Sequence, residues 1–121
     1  MQNYRLKFGS FIHHDNGIFE TIIDEDVELS EQMVQEFFDL ILSIEPKLEL
    51  CLINRKNNYS YSFKANMMLA SSNIANHVAV VKYGKLPWPI SKLLTPKFYR
   101  IGFFDDYYEA MLWLLKKNNP S

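Results

Sequence analysis

The sequence predicts a mixed α/β domain with helices packed on one sheet, and three observations carry that expectation. Beyond residue 30, helix-length segments with apolar periodicity alternate with short apolar segments of strand length. Ahead of them, two strand-like segments flank Asp15-Asn16-Gly17, a sequence suited to a tight hairpin. The composition, 48% apolar in 121 residues with nine Phe, seven Tyr and two Trp, is enough for one hydrophobic core and suits a single domain over residues 1–118. Residues 119–121 read as a short disordered tail.

The elements follow in order. Residues 4–14 and 18–23 form the opening hairpin, and Asp24-Glu25-Asp26 a solvated acidic turn. Ser30 is the expected N-cap of a helix in which Met33, Val34, Phe37, Phe38, Ile41 and Ile44 recur at three- and four-residue intervals, with Pro46 as its stop. Residues 48–53 are a buried strand leading into the polar loop 54–58. A second helix is expected over residues 63–72, with Met67 and Ala70 following Phe63 at inward spacing. Residues 78–83 form the next strand, which Gly84 ends. Pro87 and Pro89 hold Trp88 extended, and Pro89 opens a short helix. Residues 98–104 form the last strand, and Asp105 or Asp106 caps a closing helix that is apolar on nearly every side over residues 107–115. This order, β-β-α-β-α-β-α-β-α, favours parallel strands after residue 30, because crossover connections join parallel neighbours.

Charge and cysteine content narrow the classes. Thirteen basic and fourteen acidic residues are scattered, for a net charge of −1, so no broad positive field recruits nucleic acid. The lone Cys51 lies in an apolar run and reads as a small packed hydrophobe. No stretch approaches the ~20 apolar residues of a membrane span, and the amino terminus lacks a signal-peptide run, so a cytoplasmic location is expected. His13 and His14 point to opposite faces of a strand and do not converge on one metal ion. No catalytic triad, phosphate loop or carboxylate pair emerges from the spacing, and neither enzyme activity nor a cofactor is expected. The third-ranked reading, an enzyme, would place its site at the carboxyl ends of the strands, at Asn54 or Asn57.

Several segments carry a family likeness: Val78-Ala79-Val80-Val81, Ile90-Ser91-Lys92-Leu93-Leu94-Thr95-Pro96, Ile101-Gly102-Phe103-Phe104-Asp105-Asp106 and Ala110-Met111-Leu112-Trp113-Leu114. With them the chain resembles the STAS-like fold family, and especially its SpoIIAA-like branch. The resemblance implies a bacterial α/β domain with an N-terminal hairpin and about four helices on a mixed sheet. It also implies a non-enzymatic regulatory role. In the anti-sigma-factor antagonists of that family an Asp-Ser pair at the start of the second helix is phosphorylated; here Tyr61-Ser62 stands in that region, with Ser60 nearby, and the Asp is absent.

The leading functional expectation is therefore a non-catalytic domain working through protein contacts, as a monomer or a homodimer. The second is a carrier or sensor of a hydrophobic small molecule or lipid. Ser60 and Ser62 are the candidate phosphorylation sites, with an N-cap as the plainer role for one of them. Asn57, Asn58, Tyr61, Met67, Met68, Trp88, Tyr107 and Tyr108 are the candidate ligand or partner surface: loop polar groups, adaptable methionines and aromatics.

Overall fold

Asp15-Asn16-Gly17 turns the chain as its composition demands. Gly17 takes φ 92° and donates its N–H to His14 O, while the Asn16 side chain accepts from Ile18 N. A computed structural model of the chain describes residues 1–44, 48–72, 75–84 and 100–118. The proline stop at 46, the Trp88 segment with its short helix, the start of the last strand and the tail at 119–121 lie outside the described residues. Six strands make the main sheet: β1 (Gln2–Leu6), β2 (Gly9–His13), β3 (Ile18–Ile23), β5 (Leu48–Arg55), β7 (Ala75–Lys82) and β8 (Ile101–Phe104). A two-stranded parallel sheet joins β4 (Glu28–Leu29) to β6 (Ser60–Tyr61). The helices are α1 (Glu31–Ile44), α2 (Phe63–Ser71) and α3 (Tyr107–Asn118). Three of the four expected helices are thus described.

The sheet order is β1-β2-β3-β5-β7-β8. The first three strands are antiparallel, and β3, β5, β7 and β8 are parallel, as the alternation of strand and helix implies. One expectation needs correction. Residues 4–14 are not one strand but two, because the chain reverses at Lys7-Phe8 and pairs Leu6 with Gly9. No positive φ is used there, so neither Gly nor Asn marks the turn in the sequence. The opening hairpin is consequently a three-stranded meander.

Alternation along the strands divides the core. Phe11, Phe19, Cys51, Ile53, Val78 and Val80 meet α1 and α2 on one face, joined by Val34, Ile41, Ala65 and Leu69. Ile18, Leu50, Leu52, Ala79 and Val81 meet Ala110 and Leu114 of α3 on the other. Coverage on both faces explains why β5 and β7 read as nearly continuous apolar runs. Capping follows the sequence: Ser30 Oγ accepts from Met33 N at 3.2 Å, and Asp106 Oδ1 from Glu109 N at 3.0 Å.

Candidate functional site

The region following β5 is where the second helix begins, and its chain path is fixed by hydrogen bonds. Ser60 N donates to Val27 O and Ser62 N to Leu29 O, so β6 is sewn to β4 just before α2. Ser62 then serves as the N-cap: its backbone is extended and its Oγ accepts from Ala65 N at 3.1 Å. Ser60 is exposed.

The preceding loop is docked on the acidic turn, whose Glu25 and Asp26 remain exposed to solvent. Asn57 Nδ2 donates to Ile23 O at 2.8 Å, Asn58 N donates to Glu25 Oε2 at 2.9 Å, and Asp26 N donates to Asn58 O at 2.7 Å. Asp26 adopts φ 62°, a conformation Asp tolerates better than most residues. Asp24 completes the turn with a two-pronged pair to Arg5, which holds its carboxyl below the usual range. Asn57 and Asn58 therefore bind this chain's own backbone and carboxylate.

Beyond Ser62 the first helical residue, Phe63, is 79% exposed, and Met67, one turn later, is 53% exposed. Ala65 and Leu69 face inward, and Met68 packs at the edge of the core. The sequence reading placed Phe63 and Met67 inward; α2 is rotated instead so that its small Ala65 meets the neighbouring elements. Lys64 is the one charged residue of α2, and its Nζ stands 3.6 Å from Glu31 Oε1.

Behind this surface lies a small apolar cavity of about 40 Å³, lined among others by Phe8, Phe11, Phe37, Cys51, Tyr59 and Tyr61. That volume accommodates a water-sized guest, far short of an acyl chain. Neither Met67 nor Met68 is in its lining. Tyr61 is, with its hydroxyl 3.2 Å from that of Tyr59. The Arg55 guanidinium lies over the Tyr59 ring at 4.1 Å and donates to Tyr59 O at 2.7 Å. Burial pushes the Cys51 thiol up to about 12, which keeps it an unreactive neutral thiol at ordinary pH.

On the opposite face the sequence reading missed a buried carboxylate. Glu20, 3% exposed, sits at the centre of β3. Its Oε1 lies 2.9 Å from His14 Nε2 and accepts from Tyr107 OH at 2.6 Å, and its Oε2 accepts from Asn54 Nδ2 at 2.8 Å. The signal was present: a charge inside an apolar run must find partners when the strand is covered. Burial and the adjoining Glu20 carboxylate raise the Tyr107 hydroxyl well above the ordinary tyrosine range. Tyr107 thus anchors α3 to β3. Tyr108 is 75% exposed, with its ring 5.5 Å from that of Tyr107.

The candidate residues consequently fall into separate places. Ser60, Ser62 and Met67 flank the start of α2; Tyr61 and Met68 pack beneath it; Tyr107 and Tyr108 belong to α3 across the sheet; Trp88 lies outside the described residues. His13 packs near the Phe19 ring, 6.0 Å away, while His14 turns to Glu20. Among the described residues no group of three His, Cys, Asp or Glu side chains gathers as a metal site, and no helix is long and apolar enough to cross a membrane.

No protein-family model and no curated protein sequence matches this chain. Among solved structures, it is similar to the crystal structure of an uncharacterised DUF3478-family protein with a SpoIIAA-like fold from Shewanella loihica PV-4. The identity is 19% and the TM-score 0.50, over 93% of this chain and 90% of that one. A likeness at that identity speaks to architecture, and together with the strand order it establishes that the chain has a SpoIIAA-like, STAS-type fold.

Proposed function

We propose that the chain is a non-catalytic binding domain that works through protein contacts made by the outer face of α2. The observation that carries this reading is the exposed Phe63 and Met67 pair, one helical turn apart. Leaving a Phe in water forgoes roughly 1.5–3 kcal/mol of burial free energy, which a partner can recover. Lys64 and Glu31, an exposed ion pair 3.6 Å apart, stand beside them with one charge of each sign, so the fitting partner is a protein with an apolar groove bordered by polar groups. The 40 Å³ cavity favours this reading over a lipid carrier.

Ser60 and Ser62 stand at the edge of the same face. A phosphate on Ser62 would meet the free N–H groups of the first turn of α2, with Lys64 close in sequence. Such a modification would keep α2 folded and change the charge of the contact surface, a switch acting on the partner and not on the fold.

The test is recovery of the partner from the native host, followed by reconstitution with the purified components and calorimetry. Phe63→Ala is expected to weaken binding roughly 30-fold, the equivalent of about 2 kcal/mol, while Leu112→Ala, exposed on α3 across the sheet from α2, leaves it unchanged. Equal affinity for wild type and Phe63→Ala contradicts the assignment. Sedimentation that shows a second copy covering Phe63 would make the partner this chain itself.

A further inference from the structure

Helix α3 leaves an apolar stripe in water on the side turned away from the sheet. Ala110 and Leu114, both fully buried, fix its inner side against β5 and β7. Tyr108 and Leu112, one turn apart, are 75% and 58% exposed, and Leu115 is half-buried beside them. Spacing of four and then three residues is that of a helix seam that packs on a second helix.

Charge along the same helix selects what covers the stripe. Glu109 in the first turn and Lys116 in the last are both exposed, and their seven-residue separation puts them on one flank of the stripe, two turns apart. Among the described residues neither enters an ion pair. Lys117 is engaged elsewhere, over the Trp113 ring at 5.2 Å. A second α3 laid antiparallel across the first, about a two-fold axis at Leu112, keeps the two charged flanks on the same side. Glu109 of each copy then meets Lys116 of the other, because these positions lie on either side of Leu112 at nearly equal distance. A parallel pair sends the flanks to opposite sides and makes neither bridge. The surface is therefore complementary to itself, as a two-fold contact requires.

We propose that the outer face of α3 is a self-association surface through which two copies of this chain pair antiparallel. Leu112 meets Leu112 at the axis, Tyr108 of each copy covers Leu115 of the other, and the two Glu109–Lys116 bridges form the rim. Twelve helical residues span about 18 Å, so the contact belongs with small, transient interfaces, under about 1,200 Å² in total, with a Kd on the order of 0.1 mM. Because α2 packs on the other face of the sheet, the pair leaves both Phe63 surfaces open and offers them together to a partner with repeated sites. Either surface can stand without the other.

The test is sedimentation equilibrium of the full chain up to about 1 mM, with far-UV dichroism to verify the fold of each variant. The wild type is expected to dimerise reversibly and Leu112→Asp to remain monomeric. Glu109→Lys and Lys116→Glu each weaken the dimer roughly tenfold, since each turns two ion pairs into like-charge contacts. The double charge swap restores the wild-type constant. A wild type that stays monomeric throughout would overturn the proposal and leave the stripe to a different protein or an apolar ligand. So would a dimer indifferent to Leu112→Asp, one lost on Phe63→Ala instead, or a double swap no stronger than the single reversals.

Discussion

Ser62→Ala isolates the cap on which the α2 surface depends. The substitution leaves both backbone bonds of residue 62 in place, from its N–H to Leu29 O and from Asn66 N to its carbonyl, and deletes only the Oγ acceptor of Ala65 N. Loss of a Ser cap costs about 0.5–2 kcal/mol. Ala65 is fully buried, so its N–H has little access to water, which places the expected cost near the upper part of that range, about 1.5 kcal/mol. For a chain of 121 residues the unfolding entropy near the midpoint is about 0.25 kcal/mol per degree, so Tm should fall by about 6 °C. Calorimetry of Ser62→Ala, Ser62→Asp and Ser60→Ala gives the comparison. Aspartate keeps an acceptor at the cap and adds a favourable charge at the helix amino terminus, so Ser62→Asp should stay within about 0.5 kcal/mol of wild type. Ser60→Ala, at an exposed position, should do the same. A Ser62→Ala Tm within a degree of wild type, or a Ser62→Asp loss as large as the alanine's, would refute the cap.

Other expectations follow from the core and the buried network. Tyr107→Phe removes a 2.6 Å donor from the buried Glu20 carboxylate and should destabilise by about 1–3 kcal/mol, read from urea midpoints. Gly9→Ala would bring a Cβ to 2.9 Å from Ile22 O, a backbone atom held in the sheet, and should cost about 1–3 kcal/mol by the same measurement. Cys51 gives a pH dependence whose sign is fixed by burial. The unfolded thiol ionises near pH 9 and the folded one near 12, so the folded state holds the extra proton between them and stability falls as pH rises in that window. The decline approaches about 1.4 kcal/mol per pH unit from this group, is absent below its unfolded value, and should vanish from the difference between wild type and Cys51→Ala if the thiol stays accessible.

What the sequence disclosed and what it concealed have physical causes. The Asp15-Asn16-Gly17 turn, the Ser30 cap and the periodicity of α1 are local signals, and each appears where expected. The parallel order of β3, β5, β7 and β8 was also legible, because helix-length segments separate the last three apolar runs. The reversal at Lys7-Phe8 was hidden, since a turn without positive φ needs no special residue. The β4-β6 pair was hidden as well: two-residue strands form by docking and have no period to detect. For the candidate site, Ser62 could be read as a cap from its place before a helix. The inward assignment of Phe63 and Met67 failed because the mixed propensity of residues 63–72 left the helix phase undetermined, and packing of Ala65 and Leu69 set it. Glu20 was overlooked because its partners His14, Asn54 and Tyr107 are brought together by three separate elements.

The most direct test of a protein-contact role is site-specific photocrosslinking in the native host. A photoreactive phenylalanine analogue replaces Phe63 in one strain and Lys7, exposed on the β1-β2 turn, in another. The account predicts a discrete adduct of one defined mass from position 63 and none from position 7, with the adduct diminished when Met67→Glu is added. The same adducts from both positions, or none from position 63 although the protein is expressed and folded, would contradict it.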